Sequence, residues 1–265
     1  MFKNIDLYNL NNNLIIKIKG CGKMIKKLLE EMNINIDIHD SNYFYNGVVV
    51  PRTTHILSSM IHEEYLMQWA NVLGLYKRKK YEEERDKAAF IGSCTHESIE
   101  YYMKNSSYNL ESFGIKDIQS YNMIENAIKS YILWYETITK DNIVEIIGQE
   151  QQLVCPWFGG TYDMIISINN KKYLVDFKTS NHIGYKYFLQ MAAYKFMLNN
   201  YYNFYIDGVI ILQLDKKYVS FEEYVLDLSN MQHNIFMEEC TKTYLSLVYA
   251  YYNKINVENM YKQIF

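Results

Sequence analysis

Cysteine and proline are scarce in this sequence, and long apolar runs are missing from it. Its 265 residues include four cysteines and two prolines, and no two cysteines form a Cys-x-x-Cys pair. Such widely spaced cysteines argue against a zinc site and a dense disulfide framework, so reduced thiols are expected. The N-terminus lacks a basic segment followed by an apolar run, and no run of about 18 apolar residues occurs. Neither export nor a membrane span is expected, which leaves the cytoplasm as the expected location.

An excess of positive charge is also missing. The formal net charge is −3, which excludes a generic basic protein that coats nucleic acid. Hydrophobic residues make up 49% of the chain, enough to bury a substantial core. One domain spanning 1–265 is expected, with accessory strands and helices in 1–85, a core in 86–225 and a C-terminal helix in 226–265.

Helical and strand-like patterns follow one another along the chain. In order, they predict short strands and one helix in 1–50, helices in 51–103 and 118–138, three strands in 143–178, a helix in 185–198, the strands "GVIILQL" and "YVSFEEYVL", and a helix in 230–252. This order predicts an α/β (α+β) fold. A central mixed sheet with an antiparallel three-strand meander is expected, flanked by helices and extended by helical additions at both ends.

The stretch "YLVDFKTS", residues 173–180, reads as a buried strand that carries two opposite charges. Alternation along a strand places Leu174, Asp176 and Lys178 on one face. Burying an ion without compensation is costly. The pair therefore either compensates itself at a sheet edge or has a function that repays the cost.

Two turns that precede this stretch allow the strand register to be predicted. A two-residue hairpin loop at Asn169-Asn170 places Asp163 opposite Asp176. A four-residue turn at 155–158, with Pro156 at its second position, places Glu150 opposite Asp163. The three carboxylates would then form a row across three strands. A one-residue slip, or a bulge at Gly159-Gly160, would remove that row.

Carboxylates in such a row repel one another unless one is protonated or a cation lies between them. A hard divalent cation with oxygen ligands meets that need. An acidic cluster beside a lysine suits phosphodiester hydrolysis with Mg²⁺ or Mn²⁺, which would lower the pKa of a bound water and screen the phosphate. The alternative is a polar sheet face in water, on which Asp and Lys are scattered solubilising charges.

Three motifs in order carry a family resemblance. Asp163 in "GTYD", "DFK" at 176–178, and Gln190 with Tyr194 in "QMAAY" resemble the PD-(D/E)xK nuclease superfamily, in its RecB-like branch with the QxxxY motif. "GSCTHESIE" is similar to the helix of that branch whose histidine reaches the metal. "VVVPRTTHIL" and "LMQWA" are similar to lead-in segments of phage-type and mitochondrial genome-maintenance exonucleases. The resemblance spans 47–194.

The resemblance implies a restriction-endonuclease-like core and a set of site residues. His96, Asp163 and Asp176 would be metal ligands, and the Phe177 carbonyl would complete the protein's share. Lys178 would be the catalytic lysine, acting with the acidic residues. The first-strand acidic residue would be Glu150, preferred for its register, or Glu145. Gln190 and Tyr194 would contact the DNA strand or orient Lys178.

The implied activity is a divalent-metal-dependent DNA exonuclease in phage or bacterial recombination, replication or repair. The alternatives are an endonuclease of the same superfamily and a catalytically silent nuclease fold that binds DNA. DNA strand ends would be the main partner, beside a single-strand annealing or replication protein, a homo-oligomer and no membrane. The cellular setting would be a bacterial or phage-infected cytoplasm. No iron–sulfur cluster is expected, because after Cys155 only Cys240 remains.

Three further features have two interpretations each. Glu100 is placed either to hold the His96 imidazole or in solvent on its helix. The basic run at 77–80 either binds a phosphate backbone or forms a solvated face. The three tryptophans either stack on bases or pack in the core; core packing is expected for Trp69 and Trp134, and Trp157 is left open.

Overall fold

A computed structural model describes residues 43–61, 68, 70–74 and 80–265. The strands and helix expected before residue 43 lie outside the described residues, as do residues 62–67 and 75–79 of the helical region expected over 51–103. So do Trp69 and the first three residues of the basic run at 77–80.

The described chain begins with a small hairpin. Strand β1 (Tyr43–Tyr45) pairs antiparallel with β2 (Val48–Val50). Asn46 and Gly47 connect them with φ values of 50° and 79°, which is the left-handed backbone that a two-residue hairpin loop requires. Helix α1 (Thr53–Met60) follows directly, as the helical spacing after Pro51 predicts.

Two long helices pack on one side of the main sheet. Helix α2 spans Tyr81–Asn105 and α3 spans Ile118–Asp141, with a short 3₁₀ turn at Glu111–Phe113 between them. Asp117 caps α3, because its carboxylate accepts a hydrogen bond of 2.8 Å from the Ser120 amide. Both helices cover the positions predicted for them, and α3 extends three residues beyond the predicted end at 138.

Among the described residues the main sheet has five strands in chain order, and one pair of neighbouring strands is parallel. The strands are β3 (Val144–Val154), β4 (Gly159–Ile168), β5 (Lys171–Lys178), β6 (Gly208–Leu214) and β7 (Phe221–Asp227). Strands β5 and β6 are parallel and are connected by helix α4 (Tyr185–Tyr201). The other neighbours are antiparallel. The mixed α/β class expected from the sequence is therefore confirmed.

The strand register agrees with the pairings that the turns predict. Ile168 pairs with Lys171 across Asn169-Asn170, both of which have positive φ, and Val154 pairs with Gly159. The second turn is tighter than expected, because the Cys155 amide donates to the Phe158 carbonyl at 2.9 Å. A register shift between Ile146 and Gly148 was not predicted.

The sheet separates two apolar layers. Leu174 and its neighbours pack under α4 and the C-terminal helix α5 (Met231–Ile264), whereas Val175 and Phe177 pack with Trp134 and Ile99 from α3 and α2. Trp134 is fully buried, and Trp157 is only 6% exposed. These two tryptophans therefore pack in the core. For Trp157 this decides the question that the sequence leaves open.

The C-terminal helix is longer than predicted. Helix α5 continues to Ile264 rather than ending near Tyr252, because no proline or glycine follows Tyr252 to stop it. Lys254 and Glu258, one turn apart, lie 3.9 Å from each other along this extension. Among the residues that the structure describes, no helix is long and apolar enough to cross a bilayer.

Candidate metal centre and its lysine

Side chains from five elements meet where β5 ends. His96 comes from α2, Glu150 from β3, Asp163 from β4, Asp176 and Lys178 from β5, and Gln190 and Tyr194 from α4. Helix α2 brings the imidazole here because Ile99, one turn further along, is buried in the same layer as Phe177. The His96 and Phe177 rings meet edge to face, with centroids 5.8 Å apart.

His96, Glu150 and Asp163 form the tightest group of possible metal ligands. One ligand atom from each residue lies within 4.8 Å of the other two. Imidazole nitrogen and carboxylate oxygen are donors that Mn²⁺ accepts, and Mg²⁺ prefers the oxygens. Sequence reasoning expected all three residues near the ion, although it assigned Glu150 as an acidic catalytic residue rather than a ligand.

Asp163 and His96 both bind the backbone of Phe177. The ladder between β4 and β5 ends with Met164 and Val175, and Asp163 Oδ2 accepts a hydrogen bond of 2.6 Å from the Phe177 amide. His96 Nε2 lies 2.9 Å from the Phe177 carbonyl, and its Nδ1 lies 3.3 Å from Asp163 Oδ1. The pairing of Met164 with Val175 has the register that places Asp163 opposite Asp176, and the Asp163 side chain adds a contact to the next residue, Phe177.

The charge on Asp163 raises the pKa of the His96 imidazole. Burial by itself would lower the pKa of His96, but the Asp163 carboxylate outweighs burial, so the pKa is raised. Each ring nitrogen has an oxygen within reach: Nδ1 faces Asp163 Oδ1, and Nε2 faces the Phe177 carbonyl.

Glu150 reaches this group through an unusual backbone conformation. Its φ is +45°, in the left-handed region that residues other than glycine and asparagine rarely occupy. Its neighbours Gln149 and Gln151 pair with Met164 and Tyr162. Burial, together with the nearby Asp163, raises the pKa of Glu150 to about 7. The alternative, Glu145, is exposed and pairs with Ser167, so Glu150 is the acidic residue of β3 that adjoins the site.

Asp176 is paired with Lys178 and is not part of the three-residue group. Its Oδ2 lies 2.6 Å from the Lys178 ammonium, and it is 1% exposed. Burial raises the pKa of Asp176 although Lys178 opposes the shift. For Lys178, burial would lower the pKa, but Asp176 and Asp163 outweigh it, so the lysine stays charged. In this structure the Asp176 carboxylate is therefore paired with the lysine, and its expected role as a metal ligand stays a prediction.

Gln190 and Tyr194 have a different environment from the expected one. Gln190 Nε2 lies 3.2 Å from Asp176 Oδ1 and 3.1 Å from the Tyr194 hydroxyl. Both side chains are buried, and the contact is with Asp176 rather than with Lys178. In this structure Gln190 orients Asp176, and Tyr194 holds Gln190; the expected contact with a DNA strand stays a prediction.

Two residues that sequence reasoning missed support this arrangement. The Lys178 ammonium lies 5.0 Å from the centre of the Tyr187 ring, a cation–π distance. Gly160 lies under Tyr194, since a Cβ at that position would be 2.5 Å from the ring. No sequence signal identifies Tyr187. The pair Gly159-Gly160 indicates a special position but not its partner.

Glu100 and Lys80 each form an ion pair with a neighbour along the chain, although the charge of Glu100 also contributes to the raised pKa of Glu150. Glu100 forms an ion pair with Lys104 on the same helix, whereas the imidazole of His96 is held by Asp163 and Phe177. Lys80, the described residue of the basic run, lies 3.6 Å from Glu83 with both side chains exposed. For both residues the solvated interpretation fits the structure better.

The three-residue group fits a hard divalent cation. Two carboxylates lie close together in a partly buried position, and one of them has a raised pKa because of burial and the other's charge. A cation between the two carboxylates would reduce their repulsion and favour the ionised form of Glu150. The residues thus define a mixed α/β protein with a histidine–carboxylate cluster beside a buried lysine–aspartate pair.

Comparison with known proteins adds little to this description. No protein-family model matches the chain, and no curated protein matches it. The solved crystal structure of SSO0001 is 15% identical, with a TM-score of 0.26, covering 58% of this chain and 73% of that one. A TM-score this low supports no argument about fold or function.

The left-handed backbone at Glu150 leads to a stability prediction. Glu150→Gly should be more stable than Glu150→Ala by about 1 kcal/mol, because only glycine adopts positive φ without steric cost. Urea unfolding of the metal-free variants measures the difference.

Gln152 supplies the matched control on the same strand. It pairs regularly with Thr161 and has no positive φ, so glycine there should be less stable than alanine. Equal stability of the two Glu150 variants, or a more stable alanine, would show that no backbone strain is stored at Glu150.

Proposed function

We propose that the protein is a divalent-metal-dependent DNA nuclease, and specifically an exonuclease, of the RecB-like branch of the PD-(D/E)xK superfamily. The observation that carries the proposal is the grouping of His96, Glu150 and Asp163 within 4.8 Å beside the buried pair of Asp176 and Lys178. The antiparallel strands β3 to β5 would then be the acidic half of a restriction-endonuclease-like core. DNA recombination, replication or repair is the proposed setting.

Mg²⁺ or Mn²⁺ would be held by His96, Glu150 and Asp163, and when bound it supplies an acidified water and screens the phosphate. The chain's own groups supply the rest. Lys178 places a fixed positive charge beside the cluster, where it stabilises the negative charge that develops on the phosphate. Asp176 holds that ammonium in position, and Gln190 holds Asp176. Asp163 orients His96 through Nδ1, as a carboxylate partner of a ligating histidine does.

The preference for an exonuclease is supported by the lead-in segments before the core, which are similar to those of exonucleases that thread a strand end. The runner-up is an endonuclease with the same site. The two differ in their action on DNA without ends, so covalently closed circles distinguish them.

The test is a digestion time course with the purified full chain. End-labelled linear single- and double-stranded DNA should be degraded with Mg²⁺ or Mn²⁺, closed circles should survive, and chelator should stop the reaction. Nicked or linearised circles would favour the endonuclease. Glu145→Gln is the control for substitutions in the site, and it should stay active. Absence of metal-dependent cleavage of any DNA, or activity that survives Lys178→Ala, would contradict the proposal.

A further inference from the structure

A polar cavity lies at the same end of the sheet as the candidate metal centre. Its volume is about 520 Å³, and it lies between the loop that follows β5 and the turn that connects β6 to β7. This volume is within the range of sites that bind small molecules. The side chains that decide its chemistry are those of Gln213, Asp215, Lys216, Lys217, Tyr218 and Glu222.

The cavity begins one strand away from Lys178. Gln213, which lines it, is the direct partner of Lys178 in the parallel ladder of β5 and β6, so the two side chains lie on the same face about 5 Å apart. Gln213 Nε2 donates to the Ser180 carbonyl at 2.7 Å, which fixes the loop after β5 against β6. A chain of nucleotides that passes Lys178 along the strand ends would therefore reach the cavity next.

Hydrogen bonds with Asp215 and with helix α3 fix the backbone of the β6–β7 turn. Asp215 Oδ1 accepts hydrogen bonds from the amides of Lys217 and Tyr218, at 2.7 and 3.3 Å. Asn126 of α3 donates to the carbonyls of Lys216 and Lys217, at 3.1 and 3.0 Å. The turn's backbone is thus bound to the helix, and the Tyr218 side chain is left 71% exposed. A rigid turn that presents side chains to solvent loses little entropy when they bind a ligand.

The two lysines of the turn are cations without ion-pair partners among the described residues. Lys216 is partly buried, and burial lowers its pKa, although the nearby Asp215 opposes the shift. The Asp215 carboxylate is already hydrogen-bonded to the turn. A phosphate would supply the missing counter-charge. Glu222 also lines the cavity and would repel a second phosphate, so the polar edge of a base suits that side better.

We propose that this cavity is a nucleotide subsite, which binds the nucleotide that adjoins the cleaved phosphodiester bond. Lys216 and Lys217 bind its phosphate, and Tyr218 stacks on its base. The inference rests on the proposed nuclease function and adds the subsite that positions the substrate strand.

The first test is DNA binding in chelator, where the probe stays intact. The probe is a fluorescein-labelled single-stranded oligothymidylate, and anisotropy is measured with the full chain over a series of salt concentrations. Lys216→Gln should weaken binding and reduce the slope of log K against log salt by about 0.7, the value for one phosphate contact on a single strand. Tyr218→Ala should weaken binding about tenfold with an unchanged slope, because stacking releases no counterions.

Lys140→Gln is the matched control, because Lys140 is an exposed lysine at the far end of α3. The salt slope of this variant should equal that of the wild type.

The second test compares two substrates with Mg²⁺ or Mn²⁺. Lys216→Gln, Lys217→Gln and Tyr218→Ala should raise KM for the oligonucleotide. They should leave hydrolysis of bis(4-nitrophenyl) phosphate unchanged, because this diester contains no nucleotide.

The outcomes separate the subsite from the nuclease proposal. A wild type that cleaves DNA, with variants that keep its affinity, slope and KM, overturns the subsite alone. A wild type that binds the oligonucleotide with the expected slope changes but cleaves no DNA supports the subsite and overturns the nuclease. A wild type that does not bind DNA overturns both.

Discussion

Asp163→Asn is expected to reduce metal-dependent DNA cleavage by about 10³-fold or more. Asp163 contributes a carboxylate to the three-residue group and also holds His96 and the Phe177 amide. Loss of the charge removes several kcal/mol of transition-state stabilisation if an ion is held there, and each 1.4 kcal/mol is a factor of ten in rate. Affinity for Mn²⁺, measured by titration calorimetry or electron paramagnetic resonance, should fall in the same variant.

Two comparisons make this result specific. Asparagine keeps the size of the side chain and an oxygen acceptor for the Phe177 amide, so the fold should be retained, as circular dichroism would show. Glu145→Gln changes a carboxylate on the same sheet that is exposed and distant from His96, and it should behave as the wild type. Full activity of Asp163→Asn would show that the three-residue group does not hold the metal ion on which cleavage depends.

The second large effect is on stability. Asp176→Ala is expected to destabilise the fold by about 3–5 kcal/mol, because it leaves the Lys178 ammonium unpaired in a mostly buried position. Asp176 is 1% exposed, and the Lys178 side chain is 16% exposed. Urea unfolding in chelator, at constant pH, measures the change in the free energy of unfolding.

The double variant Asp176→Ala with Lys178→Met should recover much of this loss, since replacing a buried ion pair by apolar groups is often neutral or favourable. Activity should be lost in both variants. A double variant as unstable as Asp176→Ala alone would mean that the cost comes from the lost contact with Gln190 or from a cavity, and not from the unpaired lysine.

Much of the fold follows from local patterns. Alternation, helical spacing and turn residues predict most of the described helices and strands within a few residues, as well as the pairing across Asn169-Asn170. The end of α5 at Tyr252 is a wrong prediction, because no stop signal follows Tyr252 and the helix continues to Ile264. The register shift after Ile146 has no local signal.

The candidate site is less predictable than the fold, as three of its residues illustrate. Alternation along β5 places Asp176 on the face where a ligand would lie, but its carboxylate pairs with Lys178. Gln190 was expected to contact DNA or Lys178 and instead binds Asp176. Glu150 joins the cluster through a left-handed backbone that its residue type does not indicate. Each outcome depends on which partner is nearest in space.

The sequence by itself determined that Asp163, Asp176 and Lys178 come to the same end of a mixed sheet. Strand alternation and a two-residue turn are local rules, and they act over a few residues. Only the tertiary structure decided that His96, Glu150 and Asp163 place possible ligand atoms within 4.8 Å of one another and that Asp176 pairs with Lys178. His96 meets Phe177 across 81 residues of chain, and such contacts are set by how α2 packs on the sheet. Short-range patterns in the sequence contain no information about that packing.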